Sequence, residues 1–302
     1  MASDQTVTDL ARYASPLRYP GGKAKLAPFV KEVFECNNLT DGHYAEPYAG
    51  GAGLALTLLF DDFVRHIHIN DVDRAVHAFW WAVLNEPNSL CQLVADTPIT
   101  PDSWERQRRV LADRATADPL SLGFATFFLN RTSRSGIIAS GGMIGGKRQK
   151  GRWGIDARYN VRSLIARIQR IASFRARISL TNLDALDFLA ALAPLLPDRS
   201  LTYLDPPYYV KGQRRLYANY YSPADHDLIA GALDSYPHCW LTSYDYAPEI
   251  LALYSHHRCH VYSLQYTAST RRHGAEAIFF SDDLQIPPAR RLRAALPAPR
   301  AT

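Results

Sequence analysis

Short apolar runs alternate with amphipathic stretches along this chain, and their order predicts its elements. Residues 43–49 (His-Tyr-Ala-Glu-Pro-Tyr-Ala) are short and partly aromatic, and Gly50, Gly51 and Gly53 follow at once. The next seven residues, Leu54 to Phe60, are almost wholly apolar, so this stretch predicts a strand, a Gly-rich turn and a buried helix. Polar and apolar positions alternate from His66 to Asp71, as in a strand, and Ala75–Leu84 has helical spacing. Arg177–Thr181 predicts a further strand, and Leu201–Leu204 another that stops abruptly at Asp205-Pro206-Pro207. His238–Ser243, His260–Gln265 and Ala275–Phe280 complete the predicted strands. Strands that alternate with helices imply an α/β fold built on a doubly wound, mostly parallel sheet.

Residues 85–175 interrupt that rhythm with helical patterns and one long loop. Seven of the nineteen residues from Gly136 to Gly154 are glycine, interleaved with Lys147, Arg148, Lys150 and Arg152. A loop of that length inside a domain points to function or disorder. The expected organisation is a main domain from 1–84 and 176–285, an inserted, mainly helical subdomain at 85–175, and a disordered Pro/Ala/Arg-rich tail at 286–302. No internal repeat is present in the sequence.

Composition adds constraints rather than a fold. The chain has 302 residues, 47% apolar and 21% charged, enough for a substantial core. No apolar run approaches the length of a membrane span, and Met1–Arg12 is polar rather than basic-then-apolar. Cys36, Cys91, Cys239 and Cys259 are scattered, which argues against a zinc site or disulfide framework and for a reducing, cytoplasmic setting. Charge is informative once it is mapped. The net charge is +5, but residues 105–177 hold sixteen Lys/Arg against four Asp/Glu, a net +12, which leaves −7 elsewhere. A basic region on an acidic body points to a polyanionic partner.

The Gly turn sits where open α/β sheets bind ligands, at a strand end ahead of a helix N-terminus. It is no dinucleotide fingerprint, because Leu56 stands where a third glycine belongs. Tyr19-Pro20-Gly21-Gly22-Lys23-Ala24 has the outline of a phosphate loop, but Leu17 replaces its first glycine and Ala24 its Ser/Thr. Asp71 lies eighteen residues after Gly53 at a strand end. There it can accept from both ribose hydroxyls of an adenosine-bearing cofactor, or it can cap the next helix. The most specific feature is Asp205-Pro206-Pro207-Tyr208. Two prolines after a buried strand fix the backbone, so the Asp205 carboxylate and the Pro206 carbonyl become rigid acceptors beside the Tyr208 ring. That group suits an aromatic amine: acceptors grip its hydrogens and localise its lone pair, while the ring stacks on the base.

With these motifs in order, the chain resembles the DNA adenine-N6 methyltransferases of the bacterial Dam type over most of residues 16–280. The resemblance rests on Leu17–Lys23, Glu46–Gly53, Ile69-Asn70-Asp71, Phe128-Leu129-Asn130-Arg131 and Asp205–Tyr208. It implies a Rossmann-like methyltransferase fold with an inserted target-recognition subdomain, and S-adenosylmethionine as cofactor. By resemblance, Tyr19 and Lys23 contact that cofactor, with Lys23 near its carboxylate. Glu46, Pro47, Gly50, Gly51 and Gly53 form the turn around its methionine end, Asp71 holds the ribose, and Asp184 lies beside the adenine, with Asp187 as competitor. Asp205 borders the cofactor and grips the target amine, Pro206 and Pro207 set the backbone, and Tyr208 stacks on the flipped base. No metal is implied.

Double-stranded DNA is then the expected partner of the basic insertion, since flipping a base costs a few kcal/mol that phosphate contacts can offset. Asn130, Arg131, Arg134, Lys147, Arg148, Lys150 and Arg152 are the candidate DNA contacts. A monomer is the expected state, a cognate restriction endonuclease is an optional partner, and no membrane is involved. GATC-modifying members follow Asn-Arg with C-R-x-N…F-N-x-P-x-G, whereas this chain has Ser135-Gly136-Ile137-Ile138-Ala139-Ser140-Gly141-Gly142, so the resemblance does not extend to a GATC target. Two alternatives stay open: the same chemistry on RNA adenine or cytosine N4, and a DNA-binding relative without catalysis.

Overall fold

In the computed structural model, residues 14–19, 23–209, 221–266 and 272–288 are described. The expected tail from residue 289 onward, the N-terminal residues 1–13, and Pro20, Gly21 and Gly22 of the first motif lie outside them. A short 3-10 turn, Lys23–Leu26, leads into α1 (Ala27–Cys36). The predicted strand–turn–helix–strand follows as β1 (Gly42–Glu46), α2 (Gly53–Phe60) and β2 (Val64–Asn70), then α3 (Arg74–Asn85). Residues 85–175 hold α4 (Pro87–Asp96), α5 (Pro101–Ala112), α6 (Pro119–Thr132) and α7 (Val161–Ser173). The chain then runs through β3 (Ile178–Thr181), α8 (Ala185–Leu192), β4 (Ser200–Leu204), α9 (Pro223–Asp234), β5 (Cys239–Asp245), α10 (Pro248–Leu253), β6 (Arg258–Tyr266) and β7 (Arg272–Phe280).

The strands form one sheet in the order β3-β2-β1-β4-β5-β7-β6. Strands β1 to β5 are parallel, while β7 runs antiparallel to both β5 and β6. Strand β4 (Ser-Leu-Thr-Tyr-Leu) is buried throughout, Ser200 and Thr202 as fully as its apolar residues. The chain leaves β1 toward β2 on one side and returns through β4 on the other, so a crevice opens where the order reverses. Among the described residues no helix is long and apolar enough to cross a membrane.

The segment 85–175 is helical as expected, and three of its four described helices start on side-chain caps. Thr100 accepts from the Ser103 N–H, Asp118 from Ser121 and Asn160 from Ser163. It has no core of its own, however. Leu90, Val94, Phe127, Phe128, Leu164 and Ile168 belong to the same buried cluster as Phe34, Leu58 and Phe79 from the sheet's helices. The tightest seam is α6 against α3: a Cβ on Gly123 would lie 2.5 Å from the Ala78 carbonyl oxygen. The Gly-rich loop is likewise folded rather than open. Gln149 Nε2 donates to the Ile144 and Gly146 carbonyls at 2.9 and 2.7 Å, and its Oε1 accepts from the Ile155 N–H at 2.9 Å.

Gly123→Ala gains about 0.5–1 kcal/mol of helix propensity but drives a methyl into a backbone carbonyl, an overpacking cost of about 1–3 kcal/mol. A net loss of stability is expected in urea unfolding. An unchanged or higher midpoint would show that α3 and α6 are not pressed together.

Candidate active site

Carboxylates collect along one edge of the sheet, because each parallel strand ends there. Glu46 closes β1, Asp71 follows β2, Asp184 follows β3, Asp205 follows β4 and Asp245 closes β5. The Gly turn lies at the crevice between β1 and β4. Gly50 has φ +47°, and a Cβ there would come within 2.7 Å of the Tyr19 ring, so only glycine lets the turn pass beneath Tyr19. Tyr19 also lies over Gly51, and Gly53 opens α2 beside Ala24.

Asp71 braces this turn: its Oδ2 accepts from the Gly50 N–H at 3.0 Å and its Oδ1 from the Asp73 N–H at 2.9 Å. The cap of α3 is Asp73, which accepts from Ala75, so the capping alternative for Asp71 falls away. Burial pushes the Asp71 carboxyl up to about 7, against the pull of those two N–H groups. Glu46 is buried, and its Oε1 accepts from the Tyr44 hydroxyl at 2.9 Å and the Ala55 N–H near the start of α2 at 3.1 Å. Burial pushes its carboxyl up to about 8. The Pro47 carbonyl accepts from Asn70 Nδ2, which also donates to the Leu183 carbonyl, while Asn70 Oδ1 accepts from Thr181 and Leu183. One fully buried amide thus ties three strand ends together. Asp184 is exposed and caps α8 through the Leu186 N–H at 2.9 Å; Asp187 is exposed in the first turn of that helix.

At Asp205 the site holds a cluster of ion pairs. Lys23 Nζ lies 2.9 Å from Asp205 Oδ1 and 3.5 Å from Glu276 Oε2, with its side chain only 6% exposed. It was expected near the cofactor's carboxylate; in the fold its ammonium pairs with the half-buried Asp205 and the buried Glu276. Burial alone would lower the Lys23 amine, but Asp205, Tyr203 and Glu276 together hold it well above its ordinary value. Burial raises the Asp205 carboxyl and Glu276 adds to the rise, opposed by Lys23 and by Ser243, whose hydroxyl donates to Oδ1 at 3.0 Å. Both of these bonds fall on Oδ1, which leaves Oδ2 as an acceptor. The Tyr208 hydroxyl donates to Glu276 Oε1 at 2.6 Å and the Tyr262 hydroxyl to Oε2 at 2.7 Å. Pro206 is buried and Pro207 half-buried beside them.

Sequence reasoning missed Glu276. It is fully buried on β7 and pairs with Asp245 across the antiparallel ladder, which carries it to the edge where the carboxylates collect. A single acid in an apolar strand, Ala275-Glu276-Ala277-Ile278, was the available signal. Also missed was an aromatic wall: the Tyr48 and Tyr221 hydroxyls lie 3.0 Å apart, with His226 packed edge-on against Tyr221.

The candidate DNA contacts separate into two groups. Asn130 is fully buried; its Oδ1 accepts from the Arg18 N–H at 2.7 Å, and its Nδ2 donates to the Arg18 and Gly136 carbonyls at 2.8 Å each. Every polar atom of that amide is spent on the backbone, which removes it from the contact set. Arg131 is half-buried beside it. Arg134, Lys147, Arg148, Lys150 and Arg152 are exposed. Arg134 and Lys147 face a cleft of about 620 Å³ together with Trp104, Arg108 and Arg109. Those last two arginines lie on α5 in a run, Arg106-Gln107-Arg108-Arg109, that entered the sequence reading only as charge.

Two outcomes test this electrostatic arrangement. Glu46 has a folded pKa of about 8 against an ordinary 4.5, so the unfolded chain loses its proton first. Its stabilisation is complete below pH 4.5 and is lost as pH rises to about 8. Thermal unfolding across that window is expected to show the decline, and Glu46→Gln to flatten it; equal slopes would refute the raised pKa. Lys23→Met strands two carboxylates without their cation and is expected to cost about 3–5 kcal/mol near pH 8. The loss should shrink toward pH 5, where one acid takes up a proton, and a pH-independent loss in urea unfolding would argue against the shared ion pair.

Comparison with known proteins identifies the family. Residues 19–268 match the family model described as D12 class N6 adenine-specific DNA methyltransferase. No curated protein matches in sequence. Solved structures align over most of the chain at low scores. One is a candidate RNA methyltransferase from Pyrococcus horikoshii, with 11% identity over 88% of this chain and 86% of that one and a TM-score of 0.41. Another is the rRNA methyltransferase aviRa from Streptomyces viridochromogenes, with 16% identity over 91% and 89% and a TM-score of 0.36. A match to the family model that runs from Tyr19 past the Asp205–Tyr208 motif spans both the Gly turn and the carboxylate edge, and the chain belongs to the D12 class N6 adenine-specific DNA methyltransferase family.

Proposed function

We propose that this methyltransferase transfers a methyl group from S-adenosylmethionine to N6 of an adenine flipped out of duplex DNA. The observation that carries the reading is Asp205 Oδ1 pinned by Lys23 and Ser243 directly ahead of Pro206, Pro207 and Tyr208. A free carboxylate would rotate; this one keeps Oδ2 aimed as an acceptor for a substrate N–H.

The cofactor fits the chain's own residues. The Gly50–Gly53 turn has no room for a side chain at Gly50, where Tyr19 crosses it, and offers the N-terminus of α2 as an anchor for a carboxylate. Glu46 and Pro47 hold that turn in place, Asp71 is placed for ribose hydroxyls, and Asp184 stands at the rim for the adenine. When bound, S-adenosylmethionine supplies an electrophilic methyl on a sulfonium. The rest is done by the protein. Asp205 Oδ2 accepts one N6 hydrogen, and the raised Asp205 pKa makes it a stronger acceptor than an exposed carboxylate. That bond opposes delocalisation of the N6 lone pair into the purine, so it strengthens as the nitrogen becomes pyramidal in the transition state. Tyr208, tethered at its hydroxyl by Glu276, offers a fixed ring on which an extruded base can stack, worth about 1–3 kcal/mol. Arg134, Lys147, Arg148, Lys150 and Arg152, with Arg108 and Arg109, form the cationic side that would hold the duplex.

Asp205→Asn keeps the shape of the side chain but offers the substrate a weaker, uncharged acceptor. Expressed in a host free of adenine methylation, the wild-type protein is expected to leave N6-methyladenine in plasmid DNA, detected by sequencing. The Asp205→Asn protein is expected to lose transfer by a factor of about 100 or more, the usual scale for losing one preorganised electrostatic contact. Methylation of RNA with none in DNA would overturn the substrate, and undiminished transfer by the variant would overturn the mechanism.

A further inference from the structure

Four arginines from distant parts of the chain meet behind the Gly-rich loop. Arg131 stands at the end of α6, Arg167 on α7, Arg158 between the loop and α7, and Arg18 in the N-terminal segment. Among the described residues, Arg18, Arg131 and Arg158 form no ion pair. Arg131 Nε is shut off from solvent without a hydrogen-bond partner, and so is the neighbouring Tyr159 hydroxyl. Burial, with the positive charge of Arg167, Arg18 and Arg158, pushes the Arg131 guanidinium down to about 9. Arg158 is exposed, 5.5 Å from the exposed Trp153 ring, so the cluster reaches from the surface inward.

Protein interiors do not gather like charges without a return. A buried cation is normally paired, and a guanidinium stays protonated at physiological pH instead of escaping as a neutral base. An orphaned Nε next to an orphaned hydroxyl is a pair of donors awaiting an acceptor. The acceptor must be anionic and must take several N–H donors at once, a description met by a tetrahedral phosphate. We propose that Arg18, Arg131, Arg158 and Tyr159, backed by Arg167, form a phosphate-binding site at the junction of the helical insertion and the N-terminal segment. A DNA backbone phosphate as its occupant rests on the function proposed above; a free phosphate ion is the other source of the same chemistry.

The site is also hydrogen-bonded to the segment that leads into Tyr19. Asn130, the residue before Arg131, holds both the N–H and the carbonyl of Arg18. Arg18 precedes Tyr19, which covers the Gly turn, and lies five residues before Lys23, which holds Asp205. A phosphate gripped by Arg18 and Arg131 would thus be held next to Tyr19, which covers the Gly turn.

The test uses the full chain with Arg131→Gln and, at the exposed end, Arg158→Gln. Without phosphate, Arg131→Gln is expected to raise the melting temperature, because it removes a repelling charge; a merely structural arginine would lower it. Inorganic phosphate in the millimolar range should stabilise the wild-type protein beyond sodium chloride of equal ionic strength, and this gain should vanish in Arg131→Gln. On duplex DNA, each variant should bind about tenfold more weakly, with a salt slope reduced by about one. A lower melting temperature for Arg131→Gln, or a phosphate gain that survives the substitution, overturns the site. If the wild-type protein binds duplex DNA and both variants match its affinity and slope, the DNA phosphate is overturned as occupant while the proposed function stands. If inorganic phosphate stabilises through Arg131 but no duplex is bound, the site stands and the DNA reading fails.

Discussion

The ammonium of Lys23 holds together three pieces of chain that are far apart in sequence. It lies between Asp205, at the end of β4, and Glu276, on β7, and is itself nearly sealed from solvent. Two carboxylates could not both ionise in such a place without a cation, and a lone cation there would be as costly. The three groups are therefore tolerable only together. Because Glu276 also takes the Tyr208 and Tyr262 hydroxyls, the same arrangement sets the orientation of the ring beside Asp205. The geometry around the Asp205 carboxylate is thus fixed by the fold itself.

The remaining acids of the edge work by bracing backbone. Asp71 supports the turn through the Gly50 N–H, and Glu46 reaches the start of α2 through the Ala55 N–H. Both carboxyls are pushed upward by burial, so the fold holds them against their preference for water. A ligand that offers hydroxyl donors to Asp71 would replace part of the lost hydration.

The helical insertion is better described as an extension of the core than as an appended module. Gly123 allows α6 to lie directly on α3, and Trp80 of α3 donates through Nε1 to the Gly50 carbonyl at 2.9 Å. A rigid packing path therefore runs from the insertion to the Gly turn. The exposed basic residues on its outer side are carried by elements whose inner faces belong to the main core.

Much of this protein could be read from its sequence because the signals were local. Strand–turn–helix at 42–60 follows from an apolar run beside glycines, and the end of β4 follows from two prolines that cannot extend a ladder. The proline brake likewise marks Asp205, since no neighbouring segment is needed to see it. Where several segments converge, local signals fail. The glycine loop looked open, but Gln149 folds it from within. Asn130 looked like a contact for DNA, but it is consumed by the backbone of Arg18, 112 residues away. Lys23 was matched to a ligand, and the two acids that pair with it, Asp205 after β4 and Glu276 on β7, were not foreseen. Glu276 reaches the site only because β7 enters the sheet antiparallel, which turns the beginning of that strand toward the edge where the parallel strands end. Strand direction depends on which neighbours a strand finds, and no window of sequence around Glu276 contains them.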